Sequence, residues 1–104
     1  VIRLLFAHGW AMQASLWDGL RAALGAELSG SCLLREPGYF SEPLVDPRPE
    51  CPVLAVGHSL GLLGLLLRPP PHLAGLVSIN GFSRFSAAPD HPSGVAPRIL
   101  RRMR

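Results

Sequence analysis

Val53-Leu54-Ala55-Val56-Gly57-His58-Ser59-Leu60-Gly61-Leu62-Leu63-Gly64-Leu65-Leu66-Leu67 is the stretch that decides how this chain folds. Its first four residues form a short apolar run closed by a glycine, the pattern of a strand buried on both faces of a parallel sheet. Leu60 to Leu67 reads as a short apolar helix. Between them, Gly57-His58-Ser59-Leu60-Gly61 fits the G-x-S-x-G turn, in which a serine sits on a sharp strand-to-helix bend with its hydroxyl above the sheet. The small residues two positions to either side let strand and helix come close enough for that bend. At this glycine and serine content the bare five-residue pattern arises by chance in roughly one chain in ten. The strand before it and the helix after it are what give it force. Ser59 is therefore the candidate nucleophile, and the competing reading is a glycine-rich turn with an idle serine.

Upstream, Val1-Ile2-Arg3-Leu4-Leu5-Phe6-Ala7 is a second apolar strand pattern, ending in His8-Gly9-Trp10. A serine that attacks a carbonyl needs donors for the oxygen that becomes negative. One is the N–H of the residue after the serine, Leu60, which also opens a helix; the other comes from the loop after an early strand. Trp10 stands in that loop, with Gly9 to let the backbone turn and the indole to wall the pocket. Taken alone, Trp10 reads equally well as a core aromatic and His8 as a buried, satisfied histidine. Ser15 offers a helix N-cap with Asp18 in a capping-box arrangement. Leu16, Leu20, Leu24 and Leu28, joined by Trp17, predict an amphipathic helix of about three to four turns, stopped by Gly30.

Cys32-Leu33-Leu34-Arg35 reads as a strand followed by a turn at Pro37-Gly38, and four prolines in 41–52 predict an extended connection. Pro69-Pro70-Pro71 breaks the chain after the elbow helix. Leu73 to Ile79 forms a further strand ending at Asn80-Gly81. Residues 82–97 are loop-like, and Pro97 suits the first turn of a closing helix. Strands and helices alternate, so the expected fold class is α/β: a parallel sheet with flanking helices and right-handed crossovers.

No general base emerges. After Ser59 come His72, His91 and Asp90. His72 falls at the far end of the sheet from the serine, Asp90 and His91 are adjacent in sequence, and His58 is part of the turn and points away.

At 104 residues there is room for one small domain, and a complete sheet covered by helices on both faces usually needs about 200 residues or more. Val1 begins mid-strand and Ile99 to Arg104 ends mid-helix, so the expectation is the N-terminal part of a longer enzyme, with further strands beyond it. Hydrophobic residues make up 48% of the chain, which excludes a disordered segment. All ten basic residues are arginine, and four of them (Arg98, Arg101, Arg102, Arg104) crowd the C-terminus; residues 1–97 hold six Arg against seven acids. The net charge of +3 thus belongs to one terminal segment, and no nucleic-acid motif accompanies it. Cys32 and Cys51 have neither C-x-x-C nor metal-ligand spacing. No apolar run is long enough to span a membrane, and no signal peptide is visible.

Phe6-Ala7-His8-Gly9-Trp10, Val56-Gly57-His58-Ser59-Leu60-Gly61 and the segment from Phe85-Ser86-Ala87 to Pro97-Arg98-Ile99-Leu100 resemble the α/β-hydrolases, and among them the pimeloyl-[acyl-carrier protein] methyl ester esterases of biotin synthesis. The resemblance implies a carboxylesterase working through an acyl-enzyme, with Ser59 as nucleophile and Trp10 and Leu60 lining the ester site. It implies a division into 1–85, the N-terminal part of the hydrolase core, and 86–104, the start of a helical lid with Met103 facing the acyl chain. Arg98, Arg101 and Arg102 would attract an acidic carrier protein; an ordinary solvated helix face is the competing reading. No cofactor and no metal are implied, the substrate is a small or carrier-bound ester, no membrane partner is expected, and the expected location is cytoplasmic. The chain departs from the family in the proline-rich 41–52, where a helix is usual, and in Leu62, where a further glycine is frequent. The acid and histidine of the triad fall outside it, so the chain by itself is expected to be inactive. Rival readings are a lipase, thioesterase or acyltransferase of the same fold, or a non-catalytic binding module.

Overall fold

The computed structural model describes residues 2–82. Four strands run parallel in one sheet: β1 (Arg3–Ala7), β2 (Cys32–Arg35), β3 (Val53–His58) and β4 (Leu73–Ile79), in the spatial order β2-β1-β3-β4. Three α-helices accompany them, α1 (Asp18–Ala23), α2 (Ala26–Ser29) and α3 (Leu60–Leu67), with a 3₁₀ turn at Ala14–Trp17 before α1. This is a partial α/β fold, the class expected from the alternation of apolar runs. Among the described residues no helix is long and apolar enough to cross a membrane. Residues 83–104, which include the proposed lid, Met103 and the basic C-terminal arginines, lie outside the described residues.

The sheet separates two packed layers. On one face Leu5, Ala7, Val53 and Ala55 meet Leu65 of α3. On the other, Leu4, Phe6 and Val56 meet Trp17, whose ring centroid lies 4.9 Å from that of Phe6. Successive residues of β1 and β3 thus point to opposite layers and are apolar toward both, because both faces are covered. β4 differs. It stands at the edge of the sheet among the described residues, and six of its seven residues are exposed.

The strand order has a consequence for the site. The chain leaves β1 toward the Trp17 layer and β3 toward the α3 layer, and these neighbouring strands pair from Arg3 with Val53 to Ala7 with Gly57. Adjacent parallel strands whose connections depart to opposite sides open a crevice at their C-terminal ends, where α/β sheets bind ligands. His8 and Ser59 are the residues that follow at that crevice.

The predicted helix from Ser15 to Gly30 is broken into pieces. Gln13, and not Ser15, precedes the 3₁₀ turn, no side chain caps it or α1, and Gly25 at φ 82° and ψ 160° interrupts the path between α1 and α2. The leucine stripe is not the buried face: Leu16, Leu20 and Leu28 are exposed, whereas Trp17 is 4% exposed. One large aromatic stacked on Phe6 sets the rotation of this segment, and its burial outweighs that of leucines which a short, interrupted helix cannot press onto the sheet together.

Leu65 is fully buried between α3 and the sheet, while its neighbour Leu66 is 45% exposed. Leu65→Ala should lower stability by about 2–5 kcal/mol, and Leu66→Ala by no more than about 0.5 kcal/mol, measured from urea unfolding followed by circular dichroism.

Candidate active site

Ser59 links β3 to α3 with φ 55° and ψ −124°, a region that side-chain-bearing residues rarely occupy. Its backbone is pinned on both sides. The Ser59 N–H donates to the Ile79 carbonyl at the end of β4 (3.1 Å), and the Leu62 N–H donates to the Ser59 carbonyl (3.2 Å). The flanking glycines are required by space. A Cβ on Gly57 would lie 2.6 Å from Leu62 Cα, and one on Gly61 would collide with the Ala7 carbonyl oxygen and lie 2.6 Å from that of His8. The first turn of α3 is therefore packed directly on the last turn of β3 and on the end of β1. The serine side chain is left half-buried at the rim of the sheet.

Leu60 opens α3, so its N–H belongs to the helix's first four, which have no partner inside the helix and carry the positive end of its dipole. The loop after β1 approaches from the other side: a Cβ on Gly9 would lie 3.0 Å from Ser59 Cβ and 3.3 Å from the His58 carbonyl oxygen. Gly9 is buried against the elbow, and the chain turns away at Ala11, which has φ 57°. Trp10, between them, is 48% exposed.

His8 is a buried histidine with both ring nitrogens engaged. Nε2 donates to Glu36 Oε2 at 2.7 Å, and Nδ1 lies 2.8 Å from the Gly9 carbonyl oxygen. Glu36, at the end of β2, is 4% exposed and was not singled out from the sequence. Besides His8 it accepts the Ala14 N–H (2.9 Å), the Gly38 N–H (3.1 Å) and the Ser41 hydroxyl (3.2 Å). Burial pushes its carboxyl up, but the hydrogen bonds from Ala14, His8 and Gly38, with the nearby His8 ring, outweigh burial and hold it below its ordinary value. Burial, then the Glu36 charge, pushes the Tyr39 hydroxyl up. The available sequence signal was an acid directly after the apolar run Cys32–Leu34 and its Arg35, at the end of a strand.

Two further histidines are described, His58 and His72. The His58 ring packs edge-on toward Trp17, centroids 6.5 Å apart, with its Nδ1 buried and unpartnered among the described residues. His72 precedes β4, at the opposite edge of the parallel sheet from Ser59, and its carbonyl accepts the Val53 N–H (2.9 Å). Asp90 and His91 lie outside the described residues. A shallow depression of about 400 Å³ on α1 and α2, lined by Asp18, Arg21 and Ser29 among others, includes no residue of the elbow. Among the described residues, no group of three or more His, Cys, Asp or Glu side chains is placed to share a metal ion.

Two outcomes follow from this geometry. Gly61→Ala should cost about 3 kcal/mol, because backbone oxygens cannot move aside, whereas Gly64→Ala, whose Cβ meets nothing within 4 Å, should gain roughly 0.5–1 kcal/mol; thermal or urea unfolding reads both. For Glu36, a carboxyl held low in the folded state contributes stability that is complete above its ordinary value of 4.5 and is lost as the pH falls through the lower folded value. The stability difference between the native chain and Glu36→Gln should therefore be largest above that value and shrink on acidification, as urea midpoints measured across the acid range will show.

Sequence comparison places relatives along nearly the whole chain. A stretch of 117 residues in the alignment is 30% identical to the biotin biosynthesis bifunctional protein BioHC of Cellvibrio japonicus (strain Ueda107), covering 94% of this chain and 22% of that protein. The pimeloyl-[acyl-carrier protein] methyl ester esterase of Aeromonas salmonicida (strain A449) is 31% identical over 93% of this chain and 44% of its own length. The enzyme of the same name from Aeromonas hydrophila subsp. hydrophila is 30% identical with the same coverage, 93% and 44%. The chain thus spans less than half the length of these curated relatives. No family model matches it, and no solved structure matches it. Along nearly all of its length the chain is similar to the pimeloyl-[acyl-carrier protein] methyl ester esterases, and its four-stranded parallel sheet is a partial α/β fold.

Proposed function

We propose that this chain carries the nucleophile and oxyanion side of a serine carboxylesterase that cleaves the methyl ester of a small or carrier-bound acyl group. The observation that carries the reading is the strained backbone of Ser59, φ 55° and ψ −124°, at the crevice between β1 and β3. Strain of this kind costs about 1–3 kcal/mol and persists where the surrounding structure over-determines it, which happens most often at reacting groups. The relatives' names supply the ester and the carrier protein.

In this reading Ser59 Oγ attacks the ester carbonyl carbon and gives its proton to a general base. The carbonyl oxygen becomes an oxyanion held by the Leu60 and Trp10 amides, each donor worth about 3 kcal/mol in the transition state. Collapse breaks the bond to the alkoxy oxygen, which takes the proton and leaves as methanol. Water then hydrolyses the acyl-serine by the same route. His8 is engaged with Glu36 and Gly9, His58 faces Trp17 and His72 lies at the far edge. The base and its acid partner are accordingly assigned to polypeptide outside the described residues. Residues 1–85 are the core part and 86–104 the start of the lid, with Met103 toward the acyl chain and Arg98, Arg101 and Arg102 toward an acidic carrier protein in the cytoplasm.

A fluorophosphonate probe tests this on the 104-residue chain and on the longest polypeptide encoded by the same reading frame. Labelling is expected to be negligible on the former and strong on the latter, and to disappear in Ser59→Ala. A frame that ends at Arg104, or labelling that survives Ser59→Ala, overturns the reading. Faster release of methanol from methyl esters than of thiol from matched thioesters separates an esterase from a thioesterase.

A further inference from the structure

We propose that Glu36 is a positioning residue for the Ser59 site, its buried carboxylate clamping the His8–Gly9–Trp10 turn through the His8 ring. The inference rests on the serine-esterase reading and adds to it a residue that touches neither substrate nor serine.

Glu36 brings together segments from three places in the chain. Oε2 accepts His8 Nε2 (2.7 Å) from the loop after β1 and the Gly38 N–H (3.1 Å) from the turn after β2. Oε1 accepts the Ala14 N–H (2.9 Å) that opens the 3₁₀ turn, and the Ser41 hydroxyl (3.2 Å). An ionised carboxylate has about four lone-pair sites, and all are used. Such a group tolerates burial only because every site is paired, so it favours one arrangement of its donors over others that would leave it unpaired.

The clamp reaches the serine in two contacts. The His8 ring meets Glu36 at one nitrogen and the Gly9 carbonyl oxygen at the other (2.8 Å). Gly9 in turn backs onto Ser59, where even a Cβ would come within 3.0 Å of the serine Cβ. The elbow is fixed by the Ile79 carbonyl and by close packing at Gly57 and at Gly61, the latter directly against the Ala7 and His8 carbonyls. The elbow side of the crevice is therefore held by packing, and the His8 turn by packing together with a buried charge. The two must keep a fixed spacing, because the Trp10 amide belongs to the clamped side and Leu60 to the packed side.

The test uses the polypeptide whose Ser59 labels. Glu36→Gln removes the charge and the capacity to accept all four donors, while His8→Gln cuts the link and leaves Ala14, Gly38 and Ser41 on the carboxylate. Each is expected to lower kcat about 100-fold with KM changed less than about threefold, the effect of displacing a donor by roughly 1 Å. Because the two residues act as one unit, the double variant should lose no more than the weaker single variant. In the 104-residue chain, a slowly exchanging His8 ring N–H proton is expected by nuclear magnetic resonance and should vanish in Glu36→Gln. A kcat within twofold of the parent in folded Glu36→Gln, or losses that multiply in the double variant, overturns the inference. Should Glu36→Gln not fold, an unchanged kcat in His8→Gln overturns it equally. Hydrolysis that survives Ser59→Ala would instead overturn the esterase reading, and the ring proton would still report the clamp.

Discussion

The bend at Ser59 is the constraint around which the described structure is arranged. A residue with a side chain at φ 55° and ψ −124° relaxes to a better conformation unless its neighbours forbid it. Here they do. Its N–H is held by Ile79 and its carbonyl by Leu62, while the missing side chains of Gly57 and Gly61 let α3 lie against β3 and the end of β1. Leu62 and Leu65 then bury the helix against the sheet. The apolar layer on this side thus supplies the free energy that keeps the serine backbone in its unfavourable state.

The opposite layer has a different task. Trp17, stacked on Phe6 and edge-on to His58, covers the second face of β1 and β3 and begins the segment that returns to β2. Since β1 and β3 send their connections to opposite layers, a crevice opens between their C-terminal ends. The loop that borders it, His8 to Ala11, buries His8 and Gly9 and leaves Trp10 48% exposed. It is held by a charged node at Glu36, which is stable inside the protein because four donors satisfy it.

Much of this was legible in order along the chain. The bounds of β2, α3 and β4 coincide with the apolar runs Cys32–Arg35, Leu60–Leu67 and Leu73–Ile79, because turn-forming glycines and prolines end them locally. The segment from Ser15 to Gly30 was misread because a four-residue leucine spacing describes one helix face only if the helix is continuous, and Gly25 breaks it. Glu36 escaped notice because an acid beside Pro37-Gly38 looks like any solvated turn residue. Its four donors come from positions 8, 14, 38 and 41, which are neighbours only in space.

What the sequence alone determined is local: short apolar runs, breakers between them, and a Gly-x-Ser-x-Gly turn joining a strand to a helix. These follow from backbone sterics and side-chain period within a few residues. The tertiary structure alone decided which strands lie side by side, and hence that the loops after β1 and β3 meet at one crevice. It also decided which leucines face water, and that a glutamate would be desolvated and still held ionised. Those outcomes depend on contacts between segments tens of residues apart, whose free energies exist only once the sheet has brought them together.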